Sequence, residues 1–459
     1  MLFTSPAFMV FFAVVLLGTL IIQKFSSERI KQFFLLVASY FFYGWWNWRF
    51  CFLLLSVTAV SYLTALHSQK RTAYLAGVAV PLIVLGIFKY FNFFMESFGA
   101  KMALKIILPV GISFYTFQAL SYVIDVHRGK IPVEKDFARL ALYISFFPQL
   151  VAGPIIRASD FLPQLRDSSR KLTAENFSSG IQIIAMGFFK KAVLADHLSV
   201  FVDDVFRVPV AFHWATIILA VVSYSLQIYF DFSGYSDIAT GCAKCLGYDF
   251  NMNFNLPYIS RNVTEFWRRW HISLSGWLRD YLYIPLGGNR LGKIRQVINL
   301  MVTMLLGGLW HGADWTFVFW GGLNGAALCC EKFLSKKKSG QGFFNRLAKI
   351  FITFMFISFT WIFFRAENFS DAWKIIRGIF TLQNGITQPF LWSFVALTLL
   401  IISEIVAVIK ARKSESEIRG FCPVFRLDTV MGLTVFFTFV GLILGLAFTG
   451  ENPFVYFQF

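Results

Sequence analysis

Apolar runs long enough to matter to a bilayer recur from one end of this chain to the other, separated by short polar breaks. A crossing helix needs roughly 20 apolar residues. Segments of that character are 5–23, 31–45, 50–66, 73–95, 105–124, 139–156, 179–203, 213–232, 296–312, 314–332, 347–364, 389–409 and 428–449. Several are short or interrupted. The segment 139–156 ends in Phe147-Pro148-Gln149-Leu150-Val151-Ala152-Gly153-Pro154, where two prolines and a glycine break a helix. Broken backbone at membrane depth survives only inside protein or along a wet cavity, so this segment is expected to be re-entrant. The pattern predicts an all-α integral membrane protein with about ten to twelve crossings. Residues 1–459 are expected to form one polytopic domain, because no repeat, low-complexity tract or long linker divides them.

The stretch from Asn262 to Ile284 has a different pattern. At about 100° per residue, Trp267, Trp270, His271, Leu274, Trp277, Leu278 and Tyr281 fall on one arc. Arg268, Arg269, Ser273, Ser275, Arg279 and Asp280 fall on the remainder. This predicts an amphipathic helix lying in the membrane interface. Pro285-Leu-Gly-Gly-Asn-Arg290 then ends it in a turn.

Composition strengthens the membrane reading. The chain is 57% hydrophobic and 19% aromatic, with 57 phenylalanines and only 15% charged residues. A soluble domain would carry about a quarter charged residues. The net charge of +17 raises nucleic acid as a partner. Its basic residues, however, sit in short clusters between apolar runs, as cytoplasmic loops do under the positive-inside rule. No basic surface interleaved with stacking aromatics is present, so nucleic-acid binding is not expected.

The first apolar stretch, Pro6 to Ile22, has no preceding Lys or Arg and no small-residue cleavage site after it, and is expected to remain as an anchor. The positive excess that follows, with Lys24, Arg29 and Lys31, places Met1 outside. Basic loops at Lys332–Lys349 and Lys410–Arg426 are both expected to face the cytoplasm, sending the tail Pro453–Phe459 outward.

Among the six cysteines, Cys242-Ala-Lys-Cys245 is the close pair, with Cys329 and Cys330 adjacent. A metal or redox reading of Cys242 and Cys245 needs further ligands, and none lies nearby at zinc spacing. They are expected to be packing residues, and no metal site is expected.

Two histidines stand in unusual surroundings: Trp270-His271-Ile272-Ser273 and Leu306-Gly-Gly-Leu-Trp310-His311-Gly312-Ala-Asp314. An ionisable ring at bilayer depth is costly and points to function, and imidazole is the usual proton-transfer group. Glycines 307, 308 and 312 flank His311 and would let a substrate or another backbone approach closely. Asp314 is placed to orient the His311 imidazole by accepting its second N–H. His67, His127, His197 and His213 lie at span ends or beside basic loops, where a loop or headgroup role is expected. Asp231-Phe-Ser-Gly-Tyr-Ser-Asp237 follows an apolar span and reads equally as polar cavity lining or as a helix cap. No nucleophile elbow, phosphate loop or zinc-protease helix is present. A base without an in-chain nucleophile fits direct transfer between two bound substrates. A polysaccharide transporter and a non-catalytic scaffold remain as rival classes, although the paired halves common in transporters are not seen.

At these residues the chain resembles the membrane-bound O-acyltransferase family, in the branch that contains bacterial alginate O-acetyltransferases. The resemblance rests on Ser145–Arg157, Gln227–Asp237, Asn262–Arg290, Leu305–Ala313 and Tyr456-Phe-Gln-Phe459. It implies helices ringed around a central funnel and tunnel, with His311 in the catalytic position and His271 as the second family histidine. Trp310, Asp314, Trp267, Trp270, Arg268 and Asn289 would shape the substrate tunnel. No bound cofactor is implied; the co-substrate would be an acyl thioester, acetyl-CoA or an acyl carrier. The acyl group, most often acetyl, would cross the bacterial cytoplasmic (inner) membrane towards a polysaccharide such as alginate. Peptidoglycan or another wall polymer is the alternative acceptor. An extracytoplasmic esterase-like acetyltransferase would be the partner that hands the group on, and membrane lipids would surround the chain.

Overall fold

In the computed structural model of the chain, the described residues are 1–99, 104, 106–151, 153–334, 342–414 and 425–450. Among them the regular structure is helical, with one isolated bridge between Phe212 and Ile386. Five helices are long and apolar enough to cross a membrane: Pro6–Phe25, Arg49–Leu66, Arg71–Ser97, Trp214–Cys245 and Phe343–Arg365. Two shorter apolar helical stretches are Leu391–Ala407 and Val430–Leu446. The tail Pro453–Phe459, and with it the Tyr456–Phe459 motif, lies outside the described residues, as does much of both basic loops.

The first crossing helix shows why lipid is the required solvent. Phe8, Phe11, Val15 and Thr19 turn inward, while Val10, Val14, Leu17 and Ile21 are exposed on the other side. A helix that is apolar on its outer face as well is stable only against hydrocarbon. Four buried hydroxyls on these helices are satisfied within their own helix. Thr19, Ser39, Thr58 and Ser61 donate to carbonyls four residues back at 2.7–2.8 Å, so these O–H groups are paired where water does not reach them.

The chain divides into two compact units. The first comprises Met1–Met186, Tyr235–Asn251 and Arg426–Asp428. Its Ile112–His127 helix is buried from Ile112 through Val126. The segment expected to be re-entrant is interrupted as its prolines require. A helix at Phe137–Ser145 stops, a single turn at Phe147–Leu150 follows with Pro148 in its first turn, and the next helix starts only at Ala158. The second unit comprises Gly187–Gly234, Met252–Phe425 and the segment from Thr429 onward, and it holds both singled-out histidines.

Two expectations change here. The Trp214–Cys245 helix runs unbroken for 32 residues, so Asp231–Asp237 lies in a helix interior and caps nothing. Asp231 is instead 2.8 Å from the ammonium of Lys191, which also meets Asp196 at 2.6 Å. Lys191 sits in a π-helical turn, Phe189–Ala195, a departure often found at functional positions. The Asn262–Ile284 stretch is also not one amphipathic helix. It forms Val263–Arg269 and Ile272–Leu278, with a break at Trp270-His271, and then a π-helical turn at Arg279–Tyr283. The turn expected at Pro285 follows.

Candidate active site

His311 is the last residue of the helix Lys293–His311. The next helix, Trp315–Leu334, begins three residues later, so the two form a tight hairpin. Their crossing explains the glycines. A Cβ on Gly308 would collide with the carbonyl oxygen of Phe317, and one on Gly321 with that of Met304. The two backbones touch, as small residues allow between membrane helices. A Cβ on Gly312 would strike the Phe317 ring. Of the two uses expected for Gly308 and Gly312, the structure selects close protein packing over an opening for substrate. Gly308→Val is accordingly expected to lower the melting temperature of the purified protein, because overpacking a tight core costs about 1–3 kcal/mol. An unchanged melting curve would contradict this packing account.

The hairpin, together with Phe343–Arg365, surrounds His311 with rings. The imidazole centroid lies 5.1 Å from Trp320, 5.4 Å from Phe364 and 5.0 Å from Trp310. Trp320 in turn stacks on Trp361 at 5.4 Å. Asp314 does not serve as the orienting group: its carboxylate accepts the backbone N–H of Thr316 at 2.7 Å and so caps the next helix.

His271 reaches the same place from the break in the 262–284 stretch. Its backbone is left-handed (φ 42°), a conformation uncommon for residues other than glycine and concentrated at functional sites. The segment around Asn253 holds it there. Asn255 donates its N–H to Arg269 O at 2.9 Å, and Asn253 O accepts the N–H of Ile272 at 2.9 Å. Asn253 Oδ1 also accepts from both the backbone N–H and the hydroxyl of Ser273, at 3.1 and 2.9 Å. Asn253 therefore supplies the cap that the Ile272–Leu278 helix lacks from its own chain start. The signal that could have found it is the alternation Asn251-Met-Asn253-Phe-Asn255, polar amides spaced to face one side of an extended segment.

The two imidazole centroids are 6.5 Å apart. Phe232 (4.6 Å), Phe254 (6.3 Å) and Trp310 (6.0 Å) complete the wall around His271. His271 is fully buried and His311 is 4% exposed. Within this aromatic shell, His271 Nε2 and the indole nitrogens of Trp270 and Trp320 are buried without a hydrogen-bond partner. Buried polar atoms are normally paired, so atoms like these are open to a hydrogen bond from a ligand or a water. An acyl thioester and an alcohol between them offer a carbonyl acceptor and a hydroxyl donor, so this set fits both.

The remaining predicted residues are less central. Trp270 is fully buried against Phe254, Phe266 and Trp361, and Trp310, nearly as buried, lies against both histidines. Trp267 is half-buried, donating to Asn324 at 3.3 Å. Arg268 and Asn289 are exposed. Cys242 and Cys245 are buried free thiols. His127 stacks on Tyr74 and His197 on Trp392, which are packing roles.

The family model described as MBOAT, the membrane-bound O-acyltransferase family, matches residues 45–364, which include every residue of this site named above. A probable alginate O-acetylase of Pseudomonas aeruginosa is 42% identical over 83% of this chain and 75% of its own length. A probable alginate O-acetylase of Pseudomonas putida is 38% identical over the full length of both. A peptidoglycan O-acetyltransferase of Helicobacter pylori is 36% identical over 84% of this chain and 81% of its own. A chain of apolar helices that buries two histidines in one aromatic shell, matched over most of its length, is thus a member of the membrane-bound O-acyltransferase family and an integral membrane O-acyltransferase.

Proposed function

We propose that this protein moves an acetyl group from a cytoplasmic thioester to a hydroxyl on the outer side, for O-acetylation of an extracytoplasmic polysaccharide of the alginate kind. The observation that carries the reading is the buried histidine pair, 6.5 Å apart, in a chain with alginate O-acetylases among its relatives. His311 acts as general base. It takes the hydroxyl proton as the oxygen attacks the thioester carbonyl carbon, the C–S bond breaks, and the proton passes to the leaving thiolate. The products are an ester and a free thiol. His271 orients the thioester, and Trp310, Trp270 and Trp267 form the wall along which it lies. Acetyl-CoA or an acyl carrier supplies the acetyl group, and an extracytoplasmic esterase-like protein receives it before the polymer does. The chain resides in a bacterial cytoplasmic membrane.

Peptidoglycan is the second acceptor considered, because the Helicobacter pylori relative is a peptidoglycan O-acetyltransferase. The enclosed rings impose a condition. With so little of either imidazole exposed, substrate reaches them only when aromatic side chains of the wall swing aside. Purified protein tests the reading: thioester turnover that needs His311 supports an enzyme, and turnover indifferent to His311 removes the site from the mechanism.

A further inference from the structure

The contacts behind His271 decide which of its nitrogens carries the proton. The backbone N–H of Ser273 can only donate, so the side-chain atom of Asn253 it meets at 3.1 Å is the amide oxygen. The Ser273 hydroxyl faces that same oxygen at 2.9 Å, and its single proton is therefore directed to Asn253. Ser273 Oγ then has only lone pairs to offer the His271 Nδ1, 3.4 Å away. The ring must donate there, with Nδ1–H pointing at Ser273. At 3.4 Å the bond is weak, and its effect lies in selecting a tautomer more than in strength. The other nitrogen, Nε2, is left with a bare lone pair, and it is the nitrogen buried in the aromatic shell without a partner.

A bare, buried acceptor suits a donor that remains a donor throughout the reaction. The acceptor hydroxyl does not qualify, because its one proton leaves with His311. A thioester built on a pantetheine arm does carry such a group: the amide N–H two carbons beyond the sulfur. That spacing is commensurate with imidazoles 6.5 Å apart, one at the carbonyl and one at the arm. We propose that Asn253, acting through Ser273, holds His271 as the Nδ1–H tautomer so that its Nε2 accepts a hydrogen bond from the pantetheine amide of the acyl donor. This rests on the acyl-transfer reading above and adds a basis for choosing among thioesters. Asn253 and Ser273 are positioning residues, while His271 touches the donor.

The test compares two substrates, acetyl-CoA and ethyl thioacetate, which has no amide. Purified wild type, Ser273→Ala, Ser273→Thr and His311→Gln are assayed on each for kcat and KM. Ser273→Ala is expected to raise KM for acetyl-CoA about three- to tenfold, the worth of one neutral hydrogen bond. The rise in KM for ethyl thioacetate should be much smaller, and kcat for acetyl-CoA should change little, because interactions made equally before and during reaction appear in KM. Ser273→Thr keeps the hydroxyl and should restore the wild-type KM. A purely structural role for Ser273 would affect both substrates alike. An unchanged KM for acetyl-CoA, or equal changes on the two substrates, overturns the proposal. The reading of the site itself fails separately, if His311→Gln keeps wild-type kcat.

Discussion

His311→Gln is expected to lower acetyl-thioester turnover by about 10²–10⁴-fold, the usual contribution of a positioned general base. Gln is the preferred replacement because the site is tight. His311 is packed against Trp310, Trp320 and Phe364, and Ala would leave a void among these rings. Emptying a packed aromatic site costs several kcal/mol in its own right and would confuse a loss of chemistry with a loss of fold. Glutamine fills most of the volume and keeps hydrogen-bonding atoms but cannot accept a proton near neutrality. The loss should fall on kcat, with the melting temperature close to wild type. Because the attacking oxygen comes from a second substrate, thioester hydrolysis and acyl transfer should fall together.

The second large effect concerns stability. Lys191, Asp196 and Asp231 form an ion cluster in which Lys191 and Asp231 are each 1% exposed. The cluster joins the π-helical turn 189–195 to the long Trp214–Cys245 helix within the second unit. Lys191→Met removes the cation that the two carboxylates share, with Asp231 held away from water. Breaking a buried pair on one side costs about 3–5 kcal/mol. The expected result is a large drop in melting temperature and in the yield of folded protein. Adding Asp231→Asn to Lys191→Met should recover part of it, since the more deeply buried carboxylate is then neutral and only Asp196 keeps its charge. If Lys191→Met melts like wild type, the cluster does not hold these helices together.

The membrane class and the helical content were legible because they depend on local quantities, namely the apolar fraction and the length of apolar runs. The break after Leu150 was legible for the same reason, since Pro148, Gly153 and Pro154 act on their own backbone. Helical periodicity misled at 262–284 because it averages over several turns. It places Trp270 and His271 on the apolar face, and both are indeed buried. It cannot register one left-handed residue, whose conformation depends on Asn253 in a separate segment. Asp314 misled for a related reason. An acid three residues after a histidine suggests a pair, but the nearer unsatisfied N–H groups at the start of the next helix claimed it. Asp231 was singled out from the sequence while Lys191 was not, because nothing local shows that the two meet. The glycines at 308 and 312 were recognised as sites of close approach, while the approaching groups, the backbone and ring of Phe317, became identifiable only from the hairpin.

Passage of an acyl group from one side of the membrane to the other at the His271–His311 pair can be followed directly. Proteoliposomes with acetyl-labelled CoA outside and a hydroxyl acceptor, such as the purified esterase-like partner or an alginate oligomer, trapped inside test it most directly. Labelled ester is expected in the lumen with wild-type protein and none with His311→Gln. Label that stays on the outer side while the thioester is consumed, or lumenal ester formed equally by His311→Gln, would contradict it.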